Sequence, residues 1–172
     1  MRLFIAIDPP VEVRQAISDL QFASRDIRWL PADQLHLTLA FPGEQPANCF
    51  EPLCEALCEI EFSPFTIKTQ DIGCFRQGIL WLGITPNAAL EQLQKRTMRV
   101  LQMAGIPVEN RRYHPHLTLG RCKNNPARAT EHLQQRLNHQ RFDFYVDRFL
   151  LKSSLLRQDG AVHRIEAEFL TG

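Results

Sequence analysis

Histidine and threonine stand two residues apart twice in this chain of 172 residues, in His36-Leu37-Thr38-Leu39 and again in His116-Leu117-Thr118-Leu119. Side chains at i and i+2 of a strand share one face, and the residue between them points the other way. Leu37, Leu39, Leu117 and Leu119 are therefore expected in a core, with His36, Thr38, His116 and Thr118 facing outward. In-line attack at phosphorus needs a base on the nucleophile's side and an acid on the leaving group's side, and imidazole does either near neutral pH. Threonine hydroxyls donate hydrogen bonds to the non-bridging oxygens as charge gathers there. Two such pairs on opposite walls of one cleft suit a phosphodiester, by a chemistry that asks for neither metal nor covalent intermediate. One His-x-Thr alone is more often a packed histidine beside a threonine chosen for β propensity. Two identical copies holding the same rank in a repeat carry the chemical reading.

The flanking charge is unequal. From Asn110 to Thr130 the chain has Arg111, Arg112, Arg121, Lys123 and Arg128 and no acid, whereas Trp29 to Ile67 has Asp33, Glu44, Glu51, Glu55, Glu59 and Glu61 and no Lys or Arg. The second motif is thus the anion-binding side. Arg121 is the candidate phosphate clamp, because a guanidinium fork matches phosphate oxygens. On an ideal strand it would point away from His116, so the role requires Gly120 to turn or bulge the chain; a solvated strand-end arginine is the alternative. Phe41 stands at the corresponding place after His36, before Pro42-Gly43, and offers either a stacking face for a nucleobase or a packed core ring. His114 lacks a Cys or carboxylate nearby to complete a metal site and is read as structural or rim. Cys54 and Cys58 read as the apolar face of an acidic helix, and His132, His139 and His163 belong to no constellation.

Positioning these groups falls to an alternating series of strands and helices. Leu3 to Ile7 is a short apolar strand stopped by Asp-Pro-Pro, and Pro10 opens a helix striped by Val13, Ile17 and Leu20. Ile27 to Leu30 and Leu35 to Phe41 are extended, Pro42-Gly43 is a turn, Cys49 to Ile60 a helix and Phe65 to Ile72 a strand. The pattern then restarts with a strand at Ile79 to Ile84 and a helix capped by Asn87 and stopped by Gly105. A strand at Leu117 to Leu119, a helix at Pro126 to Leu137 and one long strand at Phe142 to Ser153 follow. Leu155 to Phe169 closes as a hairpin turning at Gln158-Asp159-Gly160. Strand, helix, strand, helix, strand thus occurs twice, with His36 and His116 lying 80 residues apart. The expectation is a single domain over 1–172, made of two lobes from an internal repeat of about 80 residues. The five cysteines are odd in number and include no C-x-x-C, so they are read as reduced thiols, mostly buried. A net charge of +1 argues against sequence-blind binding along a nucleic-acid backbone and leaves a small phosphate-bearing end as ligand. No apolar run reaches membrane-span length and no cleavage site follows the opening residues, which places the chain in the cytoplasm.

Taken with Ala40-Phe41, His114-Pro115, Gly120-Arg121, the opening Arg2-Leu3-Phe4-Ile5-Ala6-Ile7 and Trp81-Leu82-Gly83, the paired motifs resemble the 2H phosphoesterase superfamily. Within it the chain is similar to the bacterial RNA 2′,3′-cyclic phosphodiesterases, historically named 2′-5′ RNA ligases, over nearly its whole length. The resemblance implies an α+β (α/β) bilobal fold: two pseudo-symmetric lobes, each with an antiparallel sheet and outer helices, and the active-site cleft between them. It implies hydrolysis of an RNA-terminal 2′,3′-cyclic phosphate to a 2′-phosphate by a monomer, with no cofactor, metal or membrane. By the family's pattern His36 protonates the leaving 3′ oxygen and His116 activates water, although two identical motifs do not themselves assign acid and base. The implied substrates are RNA ends bearing the cyclic phosphate, or related nucleotides. The related activity is ATP-independent joining of such an end to a 5′-hydroxyl in a 2′-5′ bond. The alternatives are a phosphodiesterase for small cyclic nucleotides or ADP-ribose cyclic phosphate, and a nucleotide-binding module without turnover. Such a module could drop a histidine, and both are present.

Overall fold

A computed structural model describes residues 1–108, 112–157 and 160–172. The strands are β1 (Arg2–Ile7), β2 (Ile27–Trp29), β3 (Leu37–Glu44), β4 (Phe65–Cys74), β5 (Ile79–Ile84), β6 (His116–Cys122), β7 (Asp143–Val146), β8 (Arg148–Arg157) and β9 (Gly160–Leu170). The helices are α1 (Val11–Ser18), α2 (Phe50–Cys58), α3 (Ala88–Met103) and α4 (Pro126–Leu137). Local chemistry sets several ends. Asn87 Oδ1 accepts from the Leu90 N–H at 2.9 Å to start α3, and Asn125 Oδ1 accepts from the Arg128 N–H at 3.2 Å to start α4, with Pro126 as its first residue. Each longer helix buries one stripe at helical spacing: Leu90, Leu93, Thr97 and Leu101 from α3, and Ala129, Leu133 and Leu137 from α4. These stripes meet Leu37, Leu39, Leu117 and Leu119 in one hydrophobic core, as strand alternation requires.

The strands form one curled antiparallel sheet in the order β7-β4-β5-β6-β3-β1-β8-β9, with β2 alongside β6. Its middle is the β6–β3 junction. On one side lie β5, β4 and β7, and on the other β1, β8 and β9, so each half has its own antiparallel sheet. The halves are not consecutive in sequence. β4, which ends the first strand-helix series, pairs with β5 of the second, while β8 returns to pair with β1. The chain therefore crosses between the halves from β3 to β4 and again from β7 to β8, while the β3–β6 pairing joins them by backbone hydrogen bonding. At the junction the two strands meet at Leu37 and Leu117, both fully buried. Truncating either to Ala costs about 2–5 kcal/mol by the usual behaviour of buried leucine.

Four local expectations are corrected. Pro10 caps α1 from outside rather than opening its first turn. Pro42-Gly43 makes no turn: β3 runs on to Glu44, with Gly43 at φ +74 beside an irregular register between Leu3 and Ile5, where a residue without an N–H is tolerated. The long strand at 142–153 is two, because the chain changes partners at Asp147, from β4 for β7 to β1 and β9 for β8. Of the five cysteines, all free thiols, Cys122 is buried and Cys58 is exposed. The closing hairpin is present as β8–β9, but Gln158 and Asp159 of its turn, and Arg111 of the basic stretch, lie outside the described residues. Among the described residues no helix is long and apolar enough to cross a membrane.

Candidate active site at the junction of the two halves

The two motifs lie on neighbouring strands rather than on facing walls. The Leu37–Leu117 pairing is antiparallel, so one residue further each way sets His36 against Thr118 and Thr38 against His116. Each imidazole thus has the other motif's hydroxyl as its cross-strand neighbour, on the sheet face opposite the leucines. Both rings are fixed alike: His36 Nδ1 lies 2.7 Å from the Gln34 carbonyl oxygen and His116 Nδ1 lies 2.6 Å from that of His114. A carbonyl only accepts, so Nδ1 carries the proton and Nε2 is the nitrogen that exchanges one. The Tyr113 hydroxyl donates to the Thr38 carbonyl at 3.1 Å and ties the segment before β6 to β3.

A bulge in each strand decides what stands beyond the threonine. On β6, Gly120 pairs with Leu80 and Thr118 with Trp81, leaving Leu119 as the extra residue. On β3, Ala40 pairs with Ile5 and Thr38 with Ala6, leaving Leu39 extra in the same rank. Alternation is thereby shifted by one, so Leu39 and Ala40 are buried in succession, as are Leu119 and Gly120. Phe41 and Arg121 then emerge on the histidine face. The bulge that Arg121 requires is present, and the closeness of β2 demands glycine there: a Cβ on Gly120 would stand 2.7 Å from the Arg28 carbonyl oxygen.

Two adjoining cavities share Thr118 and Ile79. One, of about 560 Å³, is lined by Thr38, Phe41, Phe75, Tyr113, His116 and Thr118 among others. The second, of about 620 Å³, holds Arg121 with Arg28, Gln34 and Gly160. Phe41 and Arg121 therefore serve different cavities. Phe41 is half-buried, with the Arg2 guanidinium 5.2 Å over its ring and Phe4 6.4 Å away, so it both packs and lines the cleft. His116 stands edge-on to Phe75 at 5.0 Å. His114 lines the first cavity and packs against Trp81 at 4.9 Å, which fits the structural or rim reading.

His36 sits deeper, its ring 4.9 Å from that of Phe4 and 5.1 Å from that of His163. Burial pushes its pKa down to about 4. The hydrogen bond to Gln34 opposes that shift, and the Lys152 ammonium adds to it. His163 is lowered for the same reasons, burial first and Lys152 second. Lys152 is itself 3% exposed and bonds both carboxylate oxygens of Asp8, at 2.7 and 2.8 Å. Sequence reasoning missed this cluster: His163 belongs to a constellation after all, because β8 pairs with both β1 and β9 and so carries Phe4, Lys152 and His163 to one place. No spacing within the chain announces that pairing. Tyr113 and Phe75 were missed likewise, having no motif of their own. Among the described residues no group of three or more His, Cys, Asp or Glu is placed to hold a metal ion.

The family model of the 2′-5′ RNA ligase superfamily matches residues 9–156. A relative from Escherichia coli named RNA 2′,3′-cyclic phosphodiesterase is 38% identical over 69% of this chain and 70% of its own length. One of the same name from Thermotoga maritima is 29% identical over 100% of this chain and 97% of its own. Among solved structures, E. coli LigT complexed with 3′-AMP aligns with a TM-score of 0.80 and 28% identity, covering 99% of this chain and 97% of that one.

Proposed function

The chain belongs to the 2′-5′ RNA ligase superfamily, and from that premise we propose that it is an RNA 2′,3′-cyclic phosphodiesterase that opens the cyclic phosphate at an RNA end by two-histidine acid–base catalysis. The observation that carries this is the crossed set of two imidazoles and two hydroxyls at the β3–β6 junction, each imidazole held by the carbonyl two residues before it. In the family's pattern His116 Nε2 takes a proton from water as the water oxygen bonds to phosphorus. The bond from phosphorus to the 3′ oxygen breaks, and His36 Nε2 delivers the proton to that oxygen. A 2′-phosphomonoester and a 3′-hydroxyl remain. Thr38 and Thr118 donate to the non-bridging oxygens, worth most when charge is greatest in the transition state. In the free chain His36 is neutral at pH 7; the anionic cyclic phosphate beside the ring favours the imidazolium, so substrate recruits the proton it uses. Arg121 binds phosphate, and Phe41, which lines the cleft, offers its ring to a base.

The two-histidine chemistry itself asks for neither metal nor cofactor, and the two repeats are read as one domain acting as a monomer in the cytoplasm. An RNA 5′-hydroxyl in place of water would attack the same phosphorus and expel the same 3′ oxygen, leaving a 2′-5′ bond by the same proton transfers. Product analysis on a short RNA ending in 2′,3′-cyclic phosphate, with EDTA present, tests the reading. A 2′-phosphate product is expected, with His36→Ala and His116→Ala each slower by 10²-fold or more. Activity lost to EDTA and restored by a divalent ion, or wild-type rates in either variant, would overturn it.

A further inference from the structure

Arg121 shares its cavity with a second arginine that the reaction does not use. Arg28 and Arg121 are register partners across β2 and β6, both exposed, and both line the cavity that joins the catalytic cleft through Thr118 and Ile79. We propose that this cavity is a second phosphate subsite, in which Arg28 and Arg121 seat the phosphodiester that precedes the terminal nucleotide of an RNA strand. The inference rests on the RNA-end reading above and names which phosphate Arg121 holds.

Three observations support it. The β6 bulge returns Arg121 to the face of Thr118 three residues along the strand, roughly 10 Å away at ordinary strand rise, and the length of its side chain lets the guanidinium reach back to the phosphate next to the one at Thr118. A phosphate at Thr118 and the next phosphate of the same strand therefore fall on successive positions of one wall. The two guanidinium groups come from different strands, so each offers a planar fork from its own side, the geometry that suits the two non-bridging oxygens of a diester. Gly160 on β9 leaves room for this: a Cβ there would stand 2.4 Å from Arg28 Nη2. Trp29, Leu156 and Val162 line the same cavity with apolar surface, which favours a nucleoside beside the charge over a free hydrated ion.

The test compares adenosine 2′,3′-cyclic phosphate, which has one phosphate, with a trinucleotide ending in the same cyclic phosphate. The expected result is a trinucleotide preference in kcat/KM that Arg28→Gln reduces about tenfold through KM, in line with one lost charge-assisted contact. The slope of log KM against log salt for the trinucleotide should shrink by about 0.7, the value for one phosphate on a single strand. Arg28→Lys should fall between the two, which also covers the case that the glutamine variant does not fold. An unchanged preference in the variants, with the wild type active on both substrates, overturns the subsite and leaves the catalytic reading standing. A wild type that turns over neither substrate overturns the catalytic reading. The subsite is then judged by titrating wild type and Arg28→Gln with a 5′-phosphorylated diadenylate and with adenosine 2′-phosphate, where equal losses for both ligands reject it.

Discussion

His36→Asn should make the fold less sensitive to acid. The folded chain holds this imidazole at a pKa of about 4, against an ordinary value of 6.5 in the unfolded chain. Because the folded value is the lower one, His36 has no pH-linked effect on stability above pH 6.5, where both states are neutral. Stability is then lost as pH falls through the window from 6.5 to 4, while the unfolded chain takes up a proton that the folded chain refuses. At pH 4.5 the unfolded site is almost fully protonated and the folded site about a quarter so, which amounts to about 2.5 kcal/mol. That is a large part of the total for a domain holding 5–15 kcal/mol. Asparagine keeps a donor for the Gln34 carbonyl and removes the titration. Urea unfolding of wild type and variant at pH 8 and pH 4.5, followed by far-UV circular dichroism, isolates the difference. Because the His163 ring lies 5.1 Å from His36 and the two repel when charged, the comparison is repeated in a His163→Asn background, which removes its share. The wild type should lose about 2.5 kcal/mol more than His36→Asn between the two pH values, through the midpoint and not the slope. Equal losses in the two proteins would refute the burial argument.

The same depressed pKa should place the acid limb of the kcat/KM profile near pH 4 under either assignment of acid and base, and a limb near 6.5 would contradict it. Asp8→Asn leaves the Lys152 ammonium buried without its partner and should cost about 3–5 kcal/mol by thermal or urea unfolding, whereas Asp8→Asn with Lys152→Met should recover most of that; additive losses would show that the pair is not the cause. Phe41→Leu should weaken 2′-AMP binding by about 1–3 kcal/mol in a fluorescence titration while sparing inorganic phosphate. Equal weakening of both would mean that the ring only packs. Gly73→Ala would put a Cβ 2.1 Å from the Trp81 ring and should cost about 1–3 kcal/mol in unfolding free energy, and a neutral result would show that the indole moves aside freely.

The elements that bear the chemistry were legible because their signals are local. Strand alternation puts Leu37 and Leu117 inside and the histidines outside, and Asn87 marks the start of α3 by a hydrogen bond that a residue three positions on completes, whereas the matching cap at Asn125 went unread. What stayed hidden depends on partners distant in the chain. The break at Asp147 separates two strands whose residues read as one apolar run, because only the change of partner divides them. Pro42-Gly43 carries strong turn chemistry and is nonetheless absorbed into β3 by pairing with β1. The Leu119 bulge was implied by the demand that Arg121 share a face with His116, but its counterpart at Leu39 was not. His163 reaches His36 through the β1–β8–β9 ladder, a register that no residue between 36 and 163 encodes.

The strand exchange has a consequence for turnover. Enzymes that grip a substrate between two bodies commonly assemble their catalytic groups by swinging those bodies together. Here β3 and β6 are bonded neighbours, and the chain crosses from one half to the other from β3 to β4 and again from β7 to β8, so the strands that carry the two motifs are joined directly rather than across a single hinge. The separation of the two imidazoles is then a property of the ladder, as constant as the spacing of its rungs. The phosphate is measured against a rigid gauge, and the timing of the cycle passes from closure of the protein to arrival and departure of the RNA end.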